Sequence, residues 1–483
     1  MMRLKRVLTL SSIASASPII EFASRMGRTV VLSHLLLPGE FGISVAITVL
    51  LTSSELVTDI SLDKFLMSQA GDDVRRALGA VHWLMVLRGI ILAVVIFAVA
   101  PWIAQFFGAS NAVGAFRSVG IILAIRAFAH FEIKQALRDF RYGRDAFATI
   151  VAQLAAFAAI YPAARGFGDH RAIVLSLTIE AIVYVVASHL LAQIRYSATA
   201  SQRQVLRQAL AFGLPLTLNG LGLAMLSQFD RALVGYWLGI QTLALYAVIF
   251  SLAVVPISLI FRIFGQLWMS FLARARHRGE VGINTYPIML WSFAVVSAAY
   301  AVFVATTLDF LMPLIFGRAY VISPLIHALL TVIVWLRTIR GAPITLMLVD
   351  GRTVYLTIAT LTSGTSILLA VIGFYFVPRV ETMLVCVLIG DAISTSVSFW
   401  ISQSSQAQFR MLYMHILWSL GAVVLAALCD VLLLPRGGVE WRIVMIAVLA
   451  ILPAVQAGYG LLKNFRIIKA WFGFHSGSVR YGQ

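Results

Sequence analysis

Apolar runs of roughly 20 to 30 residues follow one another along almost the whole chain, and this recurrence limits the available folds more than any other feature. A bilayer core of about 30 Å takes about 20 helical residues to cross. The runs are continuous rather than alternating, which favours helices over the strands of a barrel. Read between Gly, Pro and charge clusters, about fourteen helices are predicted: 12–37, 41–67, 78–107, 113–136, 146–165, 171–194, 209–238, 242–272, 285–316, 322–349, 353–377, 381–403, 411–434 and 440–462. A composition that is 60% hydrophobic and 12% charged, with a mean hydropathy of +0.93, agrees. The fold class is therefore an all-α polytopic membrane protein, about 14 transmembrane helices in two pseudo-symmetric bundles.

The net charge of +17 does not signal nucleic acid, because most of the 37 Lys and Arg residues lie between apolar runs instead of on one solvated face. They gather in alternate connections, including Arg75, Arg76, Arg138, Arg141, Arg144, Arg203 and Arg207. Such a bias places both termini in the cytoplasm of a multi-pass inner-membrane protein. The N-terminus imitates a signal peptide, but the run after it is too long and too charged, so it is expected to stay as the first helix. The tail "KNFRIIKAWFGF" mixes basic and aromatic residues and is expected along the inner interface.

The polar stretch "YSATASQRQVLR", residues 196–207, is a natural seam. The expected domains are an N-terminal bundle (1–195, helices 1–6), a cytoplasmic linker (196–208), a C-terminal bundle (209–403, helices 7–12), and helices 13 and 14 with the tail (404–483). A faint repeat supports them: "RTVVLSHLLLPGEFG" from Arg28 resembles "RALVGYWLGIQTLALY" from Arg231. Cys386 and Cys429 fall in separate runs and make no disulfide or metal spacing. His34, His82, His130, His189, His327 and His415 show no shared spacing and read as packing residues. Neither a metal nor a cofactor is expected, and no connection is long enough for a soluble catalytic domain.

The candidate functional residues are charges inside the apolar runs. Glu21, Arg25 and Arg28 in "EFASRMGR" are spaced i, i+4, i+7 and predict one polar face on the first helix. Three central charges cost about 8–10 kcal/mol, against about 3–7 kcal/mol returned by the apolar residues of that helix. The face must therefore meet protein or water. Arg88, Arg126, Asp230 with Arg231, Arg262, and Arg337 with Arg340 lie in other runs. Two readings are open: bridges to Glu21, Glu55, Asp59, Glu180 and Asp391, or a water-filled cationic cavity, which the excess of arginines favours. Such a cavity suits an anion, and the planar guanidinium suits phosphate. Glu21, Asp59 and Asp230 are candidates for ion coupling or for charge partners. Gly213, Pro215, Gly220, Gly222, Pro256, Pro287, Pro313 and Pro343 are candidate hinges.

The stretch "LSHLLLPGEFGISVAITVLLTSSELVTDISLDKFLM", residues 32–67, resembles the first-turn and second-helix signature of polysaccharide exporters. Residues 212–256, "FGLPLTLNGLGLAMLSQFDRALVGYWLGIQTLALYAVIFSLAVVP", resemble the start of their second lobe. These exporters are the O-antigen and exopolysaccharide flippases of the multidrug/oligosaccharidyl-lipid/polysaccharide superfamily. The resemblance implies alternating-access export of an undecaprenyl-pyrophosphate-linked oligosaccharide, with no covalent catalysis. On this reading Arg25, Arg28 and Arg231, with Arg126, Arg262, Arg337 and Arg340, hold the pyrophosphate. Asp230 and Arg231 occupy the second-lobe motif, Arg25 takes the first-lobe basic place, and His34 stands where the family has Arg. The implied partners are the lipid-linked oligosaccharide and membrane lipids, with polysaccharide polymerase and chain-length machinery as candidates. The alternatives are an H⁺- or Na⁺-coupled small-molecule exporter, with a more acidic, aromatic cavity, and a membrane polymerase or glycosyltransferase, with a long outer loop.

Overall fold

The computed structural model describes residues 2–59, 62, 65, 66, 73–135, 143–193, 203–257, 260, 261, 264, 265, 267–269, 272, 285–317, 319–402, 416, 417, 419–421, 423–428, 455 and 458. Every regular element among them is helical: α1 (Met2–Leu35), α2 (Pro38–Val57), α3 (Asp73–Phe106), α4 (Val113–Ala127), α5 (Gly143–Phe167), α6 (Arg171–Leu191), α7 (Arg203–Leu238), α8 (Ile240–Ala253), α9 (Thr285–Phe316), α10 (Pro324–Ile339), α11 (Gly341–Val349), α12 (Thr353–Leu361), α13 (Thr365–Phe376) and α14 (Val380–Ser402), with short helical turns at Ser110–Ala112, Glu132–Gln135 and Thr362–Gly364. Among the described residues, nine helical segments are long and apolar enough to cross a membrane. The chain is a multi-pass membrane protein. The helices α1 and α7 have the length to cross, 34 and 36 residues, but are more polar.

The elements follow the periodicity of the sequence. On α3, Trp83, Leu87, Ile90, Ile91, Val94, Val95, Phe97 and Trp102 are exposed. Their spacing of three to four residues makes one apolar stripe facing outward, where lipid takes the place of water. The opposite choice appears on α5, whose buried face is Ala146, Ala148, Ala152, Gln153, Ala156, Ile160, Ala163 and Ala164. Small side chains let α1 and α6 pack along it at close range.

The chain forms two compact units. One comprises Met1–Ser251, Leu314–Tyr320 and Pro378–Val380, and the other Leu252–Pro313, Val321–Val377 and Glu381–Gln483. In the first, α3 packs on α4 and α2 runs along α7. The α7–α8 break is made by Gly239, at φ +84°, a conformation that glycine reaches without a Cβ clash. The break brings backbone against backbone: a Cβ on Gly42 of α2 would lie 2.0 Å from the Ile240 carbonyl oxygen. In the second unit, Met289, Leu290 and Phe293 of α9 pack with Ala342 of α11, and Ala294 and Ala301 with Trp335 and Ile339 of α10. Ser323 caps α10, accepting from the Ile326 amide at 3.3 Å, with Pro324 in the first turn.

Four expectations change. The helix predicted over 41–67 ends at Val57, where the Thr58 amide donates back to the Ser54 carbonyl oxygen at 3.3 Å. The helix predicted over 113–136 ends at Ala127, because the Phe128 carbonyl accepts from His189 Nε2 at 2.9 Å and the His130 amide donates to Ser188 Oγ at 2.8 Å. Tertiary partners there replace the next helical turn. The run 322–349 is two helices, α10 and α11, broken at Arg340, and 353–377 is interrupted at Thr362–Gly364. Most of the helices predicted over 411–434 and 440–462 lies outside the described residues, Ser419–Leu428 being helical.

The Gly42 contact gives a direct check on this packing. Gly42→Ala is expected to cost about 1–3 kcal/mol through overpacking. Gly39→Ala, with open space at the added Cβ, is expected to leave thermal unfolding in detergent unchanged.

Candidate functional site: a charged cavity in the first unit

The helix α1 delivers its charges to two different places. Ser24 and Arg28 face into the bundle, Ser24 Oγ donating to the Gln153 carbonyl oxygen at 2.8 Å. Arg25 instead stands 56% exposed, 2.7 Å from Glu21. The single polar face predicted for Glu21, Arg25 and Arg28 is thus divided: the arc straddles the edge between packed and open surface.

Arg28 is buried among hydrogen-bond acceptors. Its Nη1 donates to Glu180 Oε2 at 2.8 Å and Ser176 Oγ at 3.4 Å, and its Nη2 to Gln153 Oε1 at 3.2 Å. The other oxygen of Glu180, Oε1, accepts from Arg126 Nη2 at 2.8 Å. Arg126 Nη1 donates in turn to Glu55 Oε1. The result is a four-member chain, Arg28–Glu180–Arg126–Glu55, drawn from α1, α6, α4 and α2. Two cations and two anions cancel, which is the condition for holding ionised groups in a low-dielectric interior. Arg88 of α3 joins from the side, donating to Thr58 Oγ1 at 2.7 Å and to the Glu55 carbonyl oxygen at 3.2 Å.

This network forms one wall of a cavity of about 500 Å³ inside the first unit. Its lining includes Glu21, Glu55, Asp59, Asp145 and Glu180, and against these five acids Arg25, Arg88, Arg126 and Lys134. Adding buried Arg28, tied to Glu180, the count is five to five. Among the described residues around this cavity, Arg28 included, the acids match the cations. Glu55, Asp59 and Asp145, at or near helix ends, reach the same depth as the arginines and balance them. Tyr184 also lines it, its hydroxyl donating to Asp145 Oδ1 at 3.0 Å.

The remaining candidates lie elsewhere. Asp230 Oδ1 accepts from the Arg231 amide at 2.8 Å and its Oδ2 from Tyr246 Oη at 3.0 Å, so it braces the α7–α8 corner. Arg231 Nη1 donates to Gln228 Oε1 at 2.9 Å. In the second unit, Arg337 Nε donates to Asp391 Oδ2 at 2.6 Å, while Arg340 Nη1 lies 2.7 Å from Ser394 Oγ and 3.8 Å from Asp391 Oδ1. Arg262 lies outside the described residues.

Two features escaped the sequence reading. Arg126 and Glu180 are 54 residues apart, and so are Arg337 and Asp391, so each unit ties an arginine to an acid at one identical spacing. This repeat is visible in the sequence once arginines are compared with acids instead of with each other. Three histidines, moreover, gather at one end of the first unit: the rings of His82 and His189 lie 6.4 Å apart, those of His130 and His189 5.1 Å. Burial, with His189 and His82 nearby, pushes the His130 imidazole down to about 4, leaving it neutral at physiological pH. Beside them Arg144 Nη1 donates to both oxygens of buried Glu132 at 2.9 Å, and the Gln193 amide bonds Glu132 Oε2 at 3.1 Å.

Glu180 neutralises two cations, and its removal leaves both without their main counter-charge. Glu180→Gln is expected to lower stability by about 3–5 kcal/mol. Thermal unfolding of the purified protein should show a much larger fall than for Arg25→Gln, whose side chain is exposed.

The solved structure of a lipid II flippase, MurJ, in an inward closed conformation, superposes with a TM-score of 0.71 at 12% identity, covering 95% of this chain and all of that one. An inward-facing multidrug resistance MATE family transporter of the MOP superfamily matches with a TM-score of 0.56 at 14% identity over 86% of this chain and 98% of that one. The Vibrio cholerae MATE transporter VcmN gives 0.51 at 12% identity, covering 85% and 98%. At these identities the likeness is one of fold. No curated protein matches the sequence. The model of the polysaccharide biosynthesis protein family matches residues 31–323, well over half of the chain. On that match, the chain belongs to the polysaccharide biosynthesis protein family, carried on the fold that MurJ and the MATE transporters share.

Proposed function

We propose that this chain is a flippase, not an enzyme, which moves an undecaprenyl-pyrophosphate-linked oligosaccharide across the bacterial cytoplasmic membrane for surface or exopolysaccharide synthesis. The observation that carries the reading is Arg25, a cation on a helix long enough to cross a membrane, exposed at the cavity and held by one half-open carboxylate, Glu21. A cation so placed is costly unless it has an anion to meet. Arg28 stands behind it, tied to Glu180, so at this cavity the pyrophosphate contact falls to Arg25, with Arg88, Arg126 and Lys134 lining the same space. Arg231, Arg262, Arg337 and Arg340 are the corresponding candidates further along the chain. The family match and the fold shared with a lipid II flippase support a lipid-linked cargo.

In this scheme bundles 1–195 and 209–403 alternate access around the linker 196–208, residues 404–483 flank them, and both termini are cytoplasmic. Polymerase and chain-length machinery would take the cargo on the far side.

One observation favours a second reading. The described lining of the cavity carries five acids against four cations, and an ion-coupled small-molecule exporter would use Glu21, Asp59 or Asp145 for the coupling. Complementation separates the two. In a strain lacking its polysaccharide flippase, the wild-type chain is expected to restore polymer and Arg25→Ala to lose at least about tenfold of it, in line with about 1.4 kcal/mol or more of lost cargo binding. Export at the wild-type level by stably inserted Arg25→Ala rejects the pyrophosphate contact. A chain that restores drug efflux and no polymer is the exporter instead.

A further inference from the structure

Two carboxylates share the Arg126 guanidinium, and they are not equivalent. Glu180 is 10% exposed, is held by both Arg28 and Arg126, and cannot leave without stranding two buried cations. Glu55 is 36% exposed, has no second arginine on its carboxylate among the described residues, and faces the cavity. The main chain at Glu55 is secured independently, since its carbonyl oxygen accepts from Arg88. Its carboxylate can therefore swing away while α2 stays in place.

We propose that Glu55 is a resident stand-in anion: its carboxylate covers the cavity side of Arg126 until a phosphate group of the cargo displaces it. This inference rests on the phosphate-bearing cargo proposed above. A phosphate group brings more charge and more acceptor oxygens than a single carboxylate, and it matches the guanidinium fork as well. Exchange of one anion for another keeps the Arg28–Glu180–Arg126 core intact, so Arg126 stays neutralised both without cargo and with it. Glu55 thereby sets specificity: a neutral or singly charged headgroup gains too little at Arg126 to displace it.

The test is equilibrium binding of inorganic pyrophosphate to the purified full-length chain. Glu55→Gln keeps the side-chain size and removes the competing charge, so it is expected to bind pyrophosphate roughly three- to tenfold more tightly than wild type, the gain from lifting one partly exposed ion pair. Adding Arg126→Gln should erase that gain. Glu55→Ser gives a second route to the same measurement if Glu55→Gln does not fold. Unchanged or weaker binding, with the unfolding midpoint retained, overturns the proposal; that is the result of a purely structural tie between α2 and α4. Tightening that survives Arg126→Gln, or no binding by either protein at millimolar pyrophosphate, overturns it as well. Because the probe carries neither lipid nor sugar, tightening without polymer export rejects only the lipid-linked cargo. Normal export without tightening rejects only the displacement.

Discussion

The first unit depends on how it keeps ionised side chains inside a membrane. A lone arginine at the bilayer centre costs several kcal/mol, and this unit carries Arg25, Arg28, Arg88 and Arg126. Its solution is a linear alternation of charge, Arg28–Glu180–Arg126–Glu55, in which each inner member has two opposite neighbours. Four helices are obliged to converge for the alternation to close. The small-residue face of α5 then lets α1 and α6 approach near enough for a guanidinium to span them. Charge thus dictates the topology, and alanines make it feasible.

The second unit repeats the theme with fewer parts. Arg337 and Arg340 address Asp391 from the break between α10 and α11. The 54-residue interval shared with Arg126 and Glu180 ties the repeat to the charge pairs, where apolar identity between the halves is too low to follow. Side chains whose ionisation must be balanced are harder to replace than one apolar residue by another.

Much of the fold was legible in the sequence. The apolar runs announce helices because the bilayer permits little else, and α3, α5, α6 and α14 appear close to where those runs predict them. The breaks were less visible: the end of α4 at Ala127 is decided by His189, 62 residues away, and no local pattern records such a partner. The site was half legible. Arginines in apolar runs stand out, and Arg25, Arg28 and Arg126 do collect in one unit. Their acids were undervalued because Glu55 and Asp59 sit near a helix end, where a charge looks ordinary in sequence and its depth becomes apparent only in three dimensions. The division of "EFASRMGR" between core and cavity likewise hinges on which neighbour α1 meets at Arg28.

The Glu132 bracket has a mechanical meaning. One buried carboxylate holds Arg144 at the start of α5 and the main chain just past α6, while the alanine face fixes the spacing between those helices. Two helices clamped at one end and meshed along their length can neither slide nor fan apart without breaking ionic bonds and overlapping methyl groups. They behave as a stiff beam. The buried Gln153 and Glu180, midway along the pair, are thereby held at a fixed separation for Arg28 to reach both.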